Sequence, residues 1–320
     1  MRAQLRDTLI ASLEEIAKDE AWDRERVTVL ATQDCTDRQY AGPVAAAAGL
    51  THHVIDVTLS GLLEELPTCM QVLKTFDPME LRNNIAVCRA LREAAGLGFT
   101  CAVTGDGADE LFGGYNFTHK LEERAWLESR RRTIEVMHFG SATLGRHFGV
   151  HVASPYLSPA IVQAALKLSK QDCVREHDGR VLGKWPLRLA CPEVLTCWRT
   201  KDPIEVGCGS TMLGDRPWLP SAPPGYFHEV YSDGDFERGQ RAAAEEGVEI
   251  RDREHLHYYQ VFRTVFPGGE VLGKPRFGSD PCPKCHYQLS HPQQTFCVTC
   301  GHYDPQLRDR HQATAGAPPL

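Results

Sequence analysis

Twelve consecutive positions place the tightest limit on this chain: Thr104-Gly105-Asp106-Gly107-Ala108-Asp109-Glu110-Leu111-Phe112-Gly113-Gly114-Tyr115. They follow an apolar run, Phe99 to Val103, that reads as a buried strand. Four glycines and three carboxylates fall within the stretch. Glycine lets a backbone approach a ligand closely and take positive φ. A carboxylate just past a strand end is well placed to hold a hard cation such as Mg²⁺ beside phosphate. In an open α/β sheet, ligands bind at the carboxyl ends of the strands. By composition alone, the same residues also fit an acidic turn leading into a helix.

The rest of the chain alternates helix and strand at short spacing, which predicts a parallel sheet wrapped by helices. A helix is expected over residues 7–18, with Leu9, Ile10, Leu13, Ile16 and Ala17 on one face. A strand over 27–31 ends at Thr32-Gln33-Asp34, a helix covers 37–48, and a strand covers 52–57. Residues 62–73 read as one helix. Pro78 suits the first turn of the next, whose buried face carries Leu81, Ile85, Cys88 and Leu91. From 117 to 146 the chain is helical and strongly charged, and Ser158-Pro159 reads as a helix cap with a first-turn proline. That helix turns Ile161, Ala165 and Leu168 inward. Residues 206–225, rich in Gly, Pro and Ser, read as a long loop. Leu256, Tyr259, Phe262 and Phe266 form a core-facing helical stripe in a helical C-terminal half.

Composition serves mainly to exclude. A net charge of −7 argues against general attraction to nucleic acid or membrane surfaces. No apolar run reaches the roughly 18 residues of a membrane span, and the start of the chain lacks a secretory core. Eight of the 12 cysteines are scattered from Cys35 to Cys208, mostly in apolar segments. Buried free thiols in a reducing, cytoplasmic setting account for them.

The glycine- and carboxylate-rich stretch resembles the second nucleotide-site motif of the asparagine synthetase family, Ser-Gly-Glu-Gly-x-Asp-Glu-Leu-x-x-Gly-Tyr. Other landmarks follow in the same order. Asp37 to Ala41 and Thr51-His52-His53 look like the family's helix and strand. Thr75-Phe76-Asp77-Pro78 is similar to its Glu-Thr-Phe-Asp-Pro, and Gly149 to Leu157 to its Gly-Val-Glu-x-Arg-x-Pro-Phe-Leu. Gly183-Lys184-Trp185 with Leu187-Arg188 looks like Gly-Lys-x-x-Leu-Arg, and Trp198 to Lys201 like Trp-Arg-x-Lys. The resemblance runs from about residue 7 to about 267. It implies an adenine nucleotide hydrolase-like α/β fold.

That resemblance also implies a chemistry: amide formation with ATP split to AMP and pyrophosphate, by way of an acyl-adenylate. The substrates would be a small carboxylate and ammonia or an amine. Asp106 would stand where the family places a catalytic glutamate, one methylene shorter. Asp109 would be a Mg²⁺ ligand, and Lys201 would stabilise the leaving pyrophosphate with help from Lys184. Thr104, Gly105, Gly107 and Glu110 would complete the nucleotide site. Taken singly, each lysine also fits a solvated surface charge.

Three departures qualify the likeness. The family's first motif, Ser-Gly-Gly-x-Asp-Ser, is a pyrophosphate-cradling loop, and this sequence has no such string. Residues 7–13 look like the helix that should follow it, so the first strand and loop are expected ahead of Met1. Truncation, a natural variant without nucleotide chemistry, and completion by another chain all fit. Second, His151 replaces the glutamate of Gly-Val-Glu, and Ala153 replaces its arginine. His151 could act as a base near neutrality, or could be a partly buried, hydrogen-bonded residue. Third, no glutaminase domain fits the start of the chain.

The tail carries Cys282-Pro283-Lys284-Cys285 and Cys297-Val298-Thr299-Cys300, with eleven residues between. Two such knuckles bring four thiolates into the tetrahedral reach of a structural Zn²⁺; disulfides are the alternative. The expected organisation is a synthetase-like domain over 1–267, a linker over 268–281, a zinc ribbon over 282–303 and a fraying tail over 304–320. The ribbon, with no open coordination position, would serve folding or the docking of a partner protein or RNA. Two further functions fit the sequence: an inactive relative that binds a partner, and ATP-dependent thiolation of RNA.

Overall fold

The computed structural model describes residues 2–16, 26–28, 37–194, 196–216, 221–271, 273–277, 280–289 and 295–304. Helix α1 spans Arg2–Ile16, five residues earlier than its periodicity suggests. Its buried side is set by Leu5, with Leu9 packed beside it, while Ile10 and Leu13 are exposed. Strand β1 (Arg26–Thr28) pairs in parallel with β2 (Thr51–His53) across helix α2 (Arg38–Ala47). The rest of the first expected strand, with Gln33 and Asp34, lies outside the described residues.

The helix expected over 62–73 is broken in two, α3 (Leu59–Leu63) and α4 (Leu66–Leu73). Pro67 lies in the first turn of α4, where its missing N–H costs nothing but a continuous helix would clash. Thr58 caps α3, its hydroxyl accepting from Gly61 N at 3.1 Å. Helix α5 (Pro78–Gly96) leads to β3 (Cys101–Val103), then α6 (Ala108–Phe112), α7 (Glu123–Val136) and α8 (Gly140–Phe148). Strand β4 (His151–Ala153) lies parallel to β3 in the register Cys101↔His151.

Helices α9 (Pro159–Leu166) and α10 (Lys170–Cys173) precede a hairpin, β5 (Arg175–His177) and β6 (Arg180–Leu182). Its two-residue turn is Asp178-Gly179, both at positive φ, the pairing a tight right-twisted hairpin demands. Ser158 does not cap α9 with its side chain; its hydroxyl is buried without a hydrogen-bond partner. Helices α11 (Trp185–Ala190), α12 (Ile204–Gly207), α13 (Phe227–Val230), α14 (Asp233–Glu245) and α15 (Arg253–Val265) follow.

The architecture is mixed α/β, mostly helical. Among the described residues the parallel strands form two separate pairs of three residues each rather than one continuous sheet. No helix among them is long and apolar enough to cross a membrane.

Two compact units divide the chain: residues 1–30, 36–55 and 90–203, and residues 31–35, 56–89 and 204–320. In the first, Leu111 and Phe112 of α6 are fully buried among Leu5, Trp126, Ile161, Ala165, Leu168 and Cys173. In the second, Phe76 stacks on His255 at 5.4 Å and meets Tyr259 at 5.2 Å and Phe262 at 5.0 Å. The stripe expected on α15 is thus core at Leu256, Tyr259 and Phe262. Part of the expected loop over 206–225 is core too. Ser210 and Leu213 are fully buried, and Ser210 Oγ donates to the Arg82 carbonyl at 2.8 Å. Within the expected linker, Pro275 and Phe277 exchange backbone hydrogen bonds with Gln288 and His286.

Candidate functional site

In the first unit, β3 and β4 end together: Thr104 N donates to the Ala153 carbonyl at 2.9 Å. Thr104 Oγ1 lies 2.9 Å from Ser154 Oγ and donates to Asp106 Oδ2 at 2.8 Å. The same carboxylate oxygen accepts from Ser141 Oγ at 2.5 Å. Two hydroxyls therefore hold Asp106 beyond the strand ends, with Ser154 bracing Thr104 behind them. Ser141 and Ser154 escape sequence reasoning, since isolated serines 35 and 48 residues away carry no signal.

Gly107 turns the chain into α6 at φ 88°, and a Cβ there would stand 2.4 Å from Leu157 Cδ2. Burial of Leu111 and Phe112 turns Asp109 and Glu110 away from the core. At the far end of α6, Gly183 packs against the Gly113 carbonyl so closely that a Cβ would lie 2.0 Å from it. Lys184, in the left-handed region at φ 56°, donates its N–H to the Phe112 carbonyl at 2.9 Å. This seats Lys184 Nζ 2.9 Å from Asp109 Oδ2. Asp109 Oδ1 is buried and has no hydrogen-bond partner. A Cβ on Gly114 would fall 1.7 Å from that oxygen and 2.7 Å from Lys184 Cε, so only glycine leaves the pair its space.

Tyr115 OH donates to Glu110 Oε1 at 2.5 Å, and Lys201 Nζ lies 5.5 Å from the centre of the Tyr115 ring. Arg188 positions the segment carrying Lys201. Its Nε donates to the Gly183 carbonyl at 2.9 Å and its Nη1 to the Arg199 carbonyl at 2.9 Å. Arg199 in turn pairs with Asp37 at 2.7 Å and covers the Tyr40 ring. Lys184, Arg188 and Lys201 thus line one cavity with Gly114, Asn116 and Thr200. Three cations around one opening make a site for an anion.

The other predicted residues fall as follows. Gly105 has open space around it, so sterics alone do not demand glycine there. His151 opens β4 with an exposed side chain, three residues ahead of Ser154 and hence roughly 10 Å along the strand from the end where Asp106 sits.

Residues 26–145 match the asparagine synthase family. The chain is 23% identical to a probable glutamine-hydrolyzing asparagine synthetase of Dictyostelium discoideum over 300 aligned residues, 84% of this chain and 51% of the relative. It is 24% identical to the Zea mays asparagine synthetase over 197 residues, 58% of this chain and 34% of that one. Against asparagine synthetase B of Escherichia coli it is 24% identical over 185 residues, 55% of this chain and 33% of that one. The chain therefore spans between a third and a half of the length of these curated relatives. The family match contains Thr104 to Tyr115; Lys184, Lys201 and the four tail cysteines lie beyond it.

In the second unit, Cys282, Cys285, Cys297 and Cys300 are buried with all sulfurs within 4.8 Å of one another. Cys282 and Cys300 Sγ stand 3.8 Å apart, and Cys285 and Cys297 Sγ 3.7 Å. Disulfide bonds at about 2.05 Å are excluded at these distances. A tetrahedral zinc with Zn–S bonds of about 2.3 Å sets its sulfurs about 3.8 Å apart. The two knuckles share a turn: His286 (φ 61°) and Gly301 (φ 71°) follow the second cysteine of each. Lys284 N also points at Cys282 Sγ, 3.4 Å away. The four thiols could hold a zinc ion with no position left open.

Proposed function

We propose that this chain forms an amide at the expense of ATP, activating a small carboxylate as its acyl-adenylate and passing it to ammonia or an amine. The carrying observation is the Asp109–Lys184 pair, with one carboxylate oxygen engaged and the other buried and unpartnered beside a cationic cavity. Mg²⁺ is bound by one or two carboxylates together with substrate phosphates, and the unpartnered Asp109 Oδ1 fits that need. Bound there, the ion would neutralise phosphate charge. Lys184 orients Asp109, and Lys201 faces the same cavity to stabilise departing pyrophosphate. Asp106, with Oδ2 occupied by two hydroxyls, keeps its other oxygen for a proton from the incoming amine. Thr104, Gly107 and Glu110 shape the loop. We assign no chemistry to His151.

The same reading gives Cys282, Cys285, Cys297 and Cys300 a structural Zn²⁺. No two cysteines among the described residues are joined by a disulfide, which supports a reducing compartment such as the cytoplasm.

The test is carboxylate-dependent exchange of labelled pyrophosphate into ATP, with AMP release on adding ammonia, across a panel of small amino and keto acids. The expected result is exchange with at least one acid and its loss in Asp109→Asn. Binding of Mg²⁺-ATP without exchange on any acid would favour an inactive, partner-binding relative.

A further inference from the structure

The two cysteine knuckles grip different parts of the second unit. The first holds the corner between α14 and α15: Glu249 N donates to the Lys284 carbonyl at 2.9 Å, and Lys284 Nζ pairs with the Glu249 carboxylate. Beside it, Arg276 Nη2 donates to the Glu246 carbonyl at 2.8 Å. The second knuckle holds the turn that opens α5. Phe76 N donates to the Thr299 carbonyl at 2.8 Å, and Thr75 Oγ1 to the Val298 carbonyl at 2.7 Å. Gly301 lies against Asp77 so tightly that a Cβ would stand 1.9 Å from Asp77 Oδ1. Arg251, just ahead of α15, donates to the Gly301 carbonyl at 3.0 Å and the Cys300 carbonyl at 3.3 Å.

One cation is placed differently from the rest. Lys274 Nζ donates to the Lys74 carbonyl at 2.9 Å and to Thr299 Oγ1 at 3.3 Å, within electrostatic reach of the Cys285 and Cys297 sulfurs. Four thiolates around one Zn²⁺ leave two negative charges in a buried place. A buried charge of that size needs a compensating partner.

We propose that a Zn²⁺ on these four cysteines is the cross-link fastening the Thr75–Pro78 turn to the α14–α15 corner, with Lys274 as its compensating cation. This rests on the zinc reading above. It makes the ribbon an internal staple of the second unit, in place of a free docking module for protein or RNA. The knuckles meet through their sulfurs, so the metal adds a direct cross-link to the ties that Arg251 and the Phe76–His255 stack already make between the turn and α15.

Hydrogen exchange on the full chain, zinc-loaded and after chelation, tests the tie, with native mass spectrometry counting the metal. Loss of zinc should reduce protection at the Phe76 and Glu249 amides by about tenfold or more. The Thr104 and Lys184 amides of the first unit should keep theirs. Thr75→Val keeps every thiol and should still raise the zinc dissociation constant about tenfold, or about 1.4 kcal/mol. Lys274→Met should weaken zinc by a similar factor, and Lys274→Arg should restore it. Unchanged protection at Phe76 and Glu249 after zinc loss overturns the cross-link, as does protection lost equally throughout the chain. Unchanged zinc affinity in Lys274→Met overturns the charge assignment. A chain that takes up no zinc overturns the metal reading itself. AMP release is read separately, so none of these outcomes is confused with failure of amide formation.

Discussion

The region around Asp109 and the region around the four cysteines are both built from glycine turns and charged or polarisable ligand atoms, yet they are finished in opposite ways. Around Asp109, one carboxylate oxygen is left without a partner and three cations border a cavity. Around the cysteines, four buried sulfurs face one another and the carbonyls beside them are taken up by Thr75, Phe76 and Arg251. A site that turns over must leave atoms unsatisfied until substrate arrives; a structural site gains by satisfying every one. The difference fits the proposed roles, chemistry in the first region and stability in the second.

That contrast is most exposed to failure at Asp109. Asp109→Asn should lower AMP formation by about 10²- to 10³-fold, because one charge-stabilising group is lost, while the melting temperature barely moves. Chelation should do the reverse. At free zinc near 1,000 times its dissociation constant, the metal contributes about 4 kcal/mol of stability, seen as a fall in melting temperature when it is removed. If chelation and Asp109→Asn produce the same defect, the division of labour is wrong. Gly114→Ala should fall between them. Its Cβ must displace the Asp109–Lys184 pair, costing about 1–3 kcal/mol of packing and about 10-fold or more in AMP formation, measured on the same preparation.

pH should act on the second unit. Burial pushes Glu254 up to about 7 despite Arg82 beside it, and Asp77 up to about 6 despite Arg251. Each carboxyl holds its proton more tightly in the folded chain than in the unfolded one. The stability they contribute is full below the unfolded values near 4, and is lost as pH rises through about 6 to 7. Denaturant midpoints should therefore fall between pH 4 and 7, and Glu254→Gln should flatten the upper part of that slope. The smallest effect is expected from His151→Ala. An exposed side chain at the entering end of β4 should change AMP formation less than about twofold. A large loss there would mean that the reacting centre reaches well beyond the strand ends.

Much of the local geometry was legible. The glycine run predicted a sharp turn after a strand, and Gly107 and Gly113 do take positive φ. The cysteine spacing predicted a tetrahedral cluster, and the aromatic stripe predicted the core face of α15. Ser232 and Asp235 form a capping box that opens α14, and Asp178-Gly179 marks the hairpin. Pro67 announced the break between α3 and α4. What had no sequence signal was long-range: Ser141 on Asp106, Arg188 under the Lys201 segment, and Asp37 on Arg199.

The sequence by itself determined the parts whose geometry closes within a few residues, namely the turns around glycine, the two cysteine knuckles and the buried faces of α5 and α15. Backbone sterics and side-chain spacing act at that range, whatever the rest of the chain does. Only the tertiary structure decided that Lys184 meets Asp109 75 residues away, that one knuckle closes on Thr75 and Phe76, and that His151 sits at the far end of its strand. Those placements depend on which apolar faces bury against one another. Such burial is non-directional, summed over many weak contacts, and leaves no mark at the charged residues it brings together.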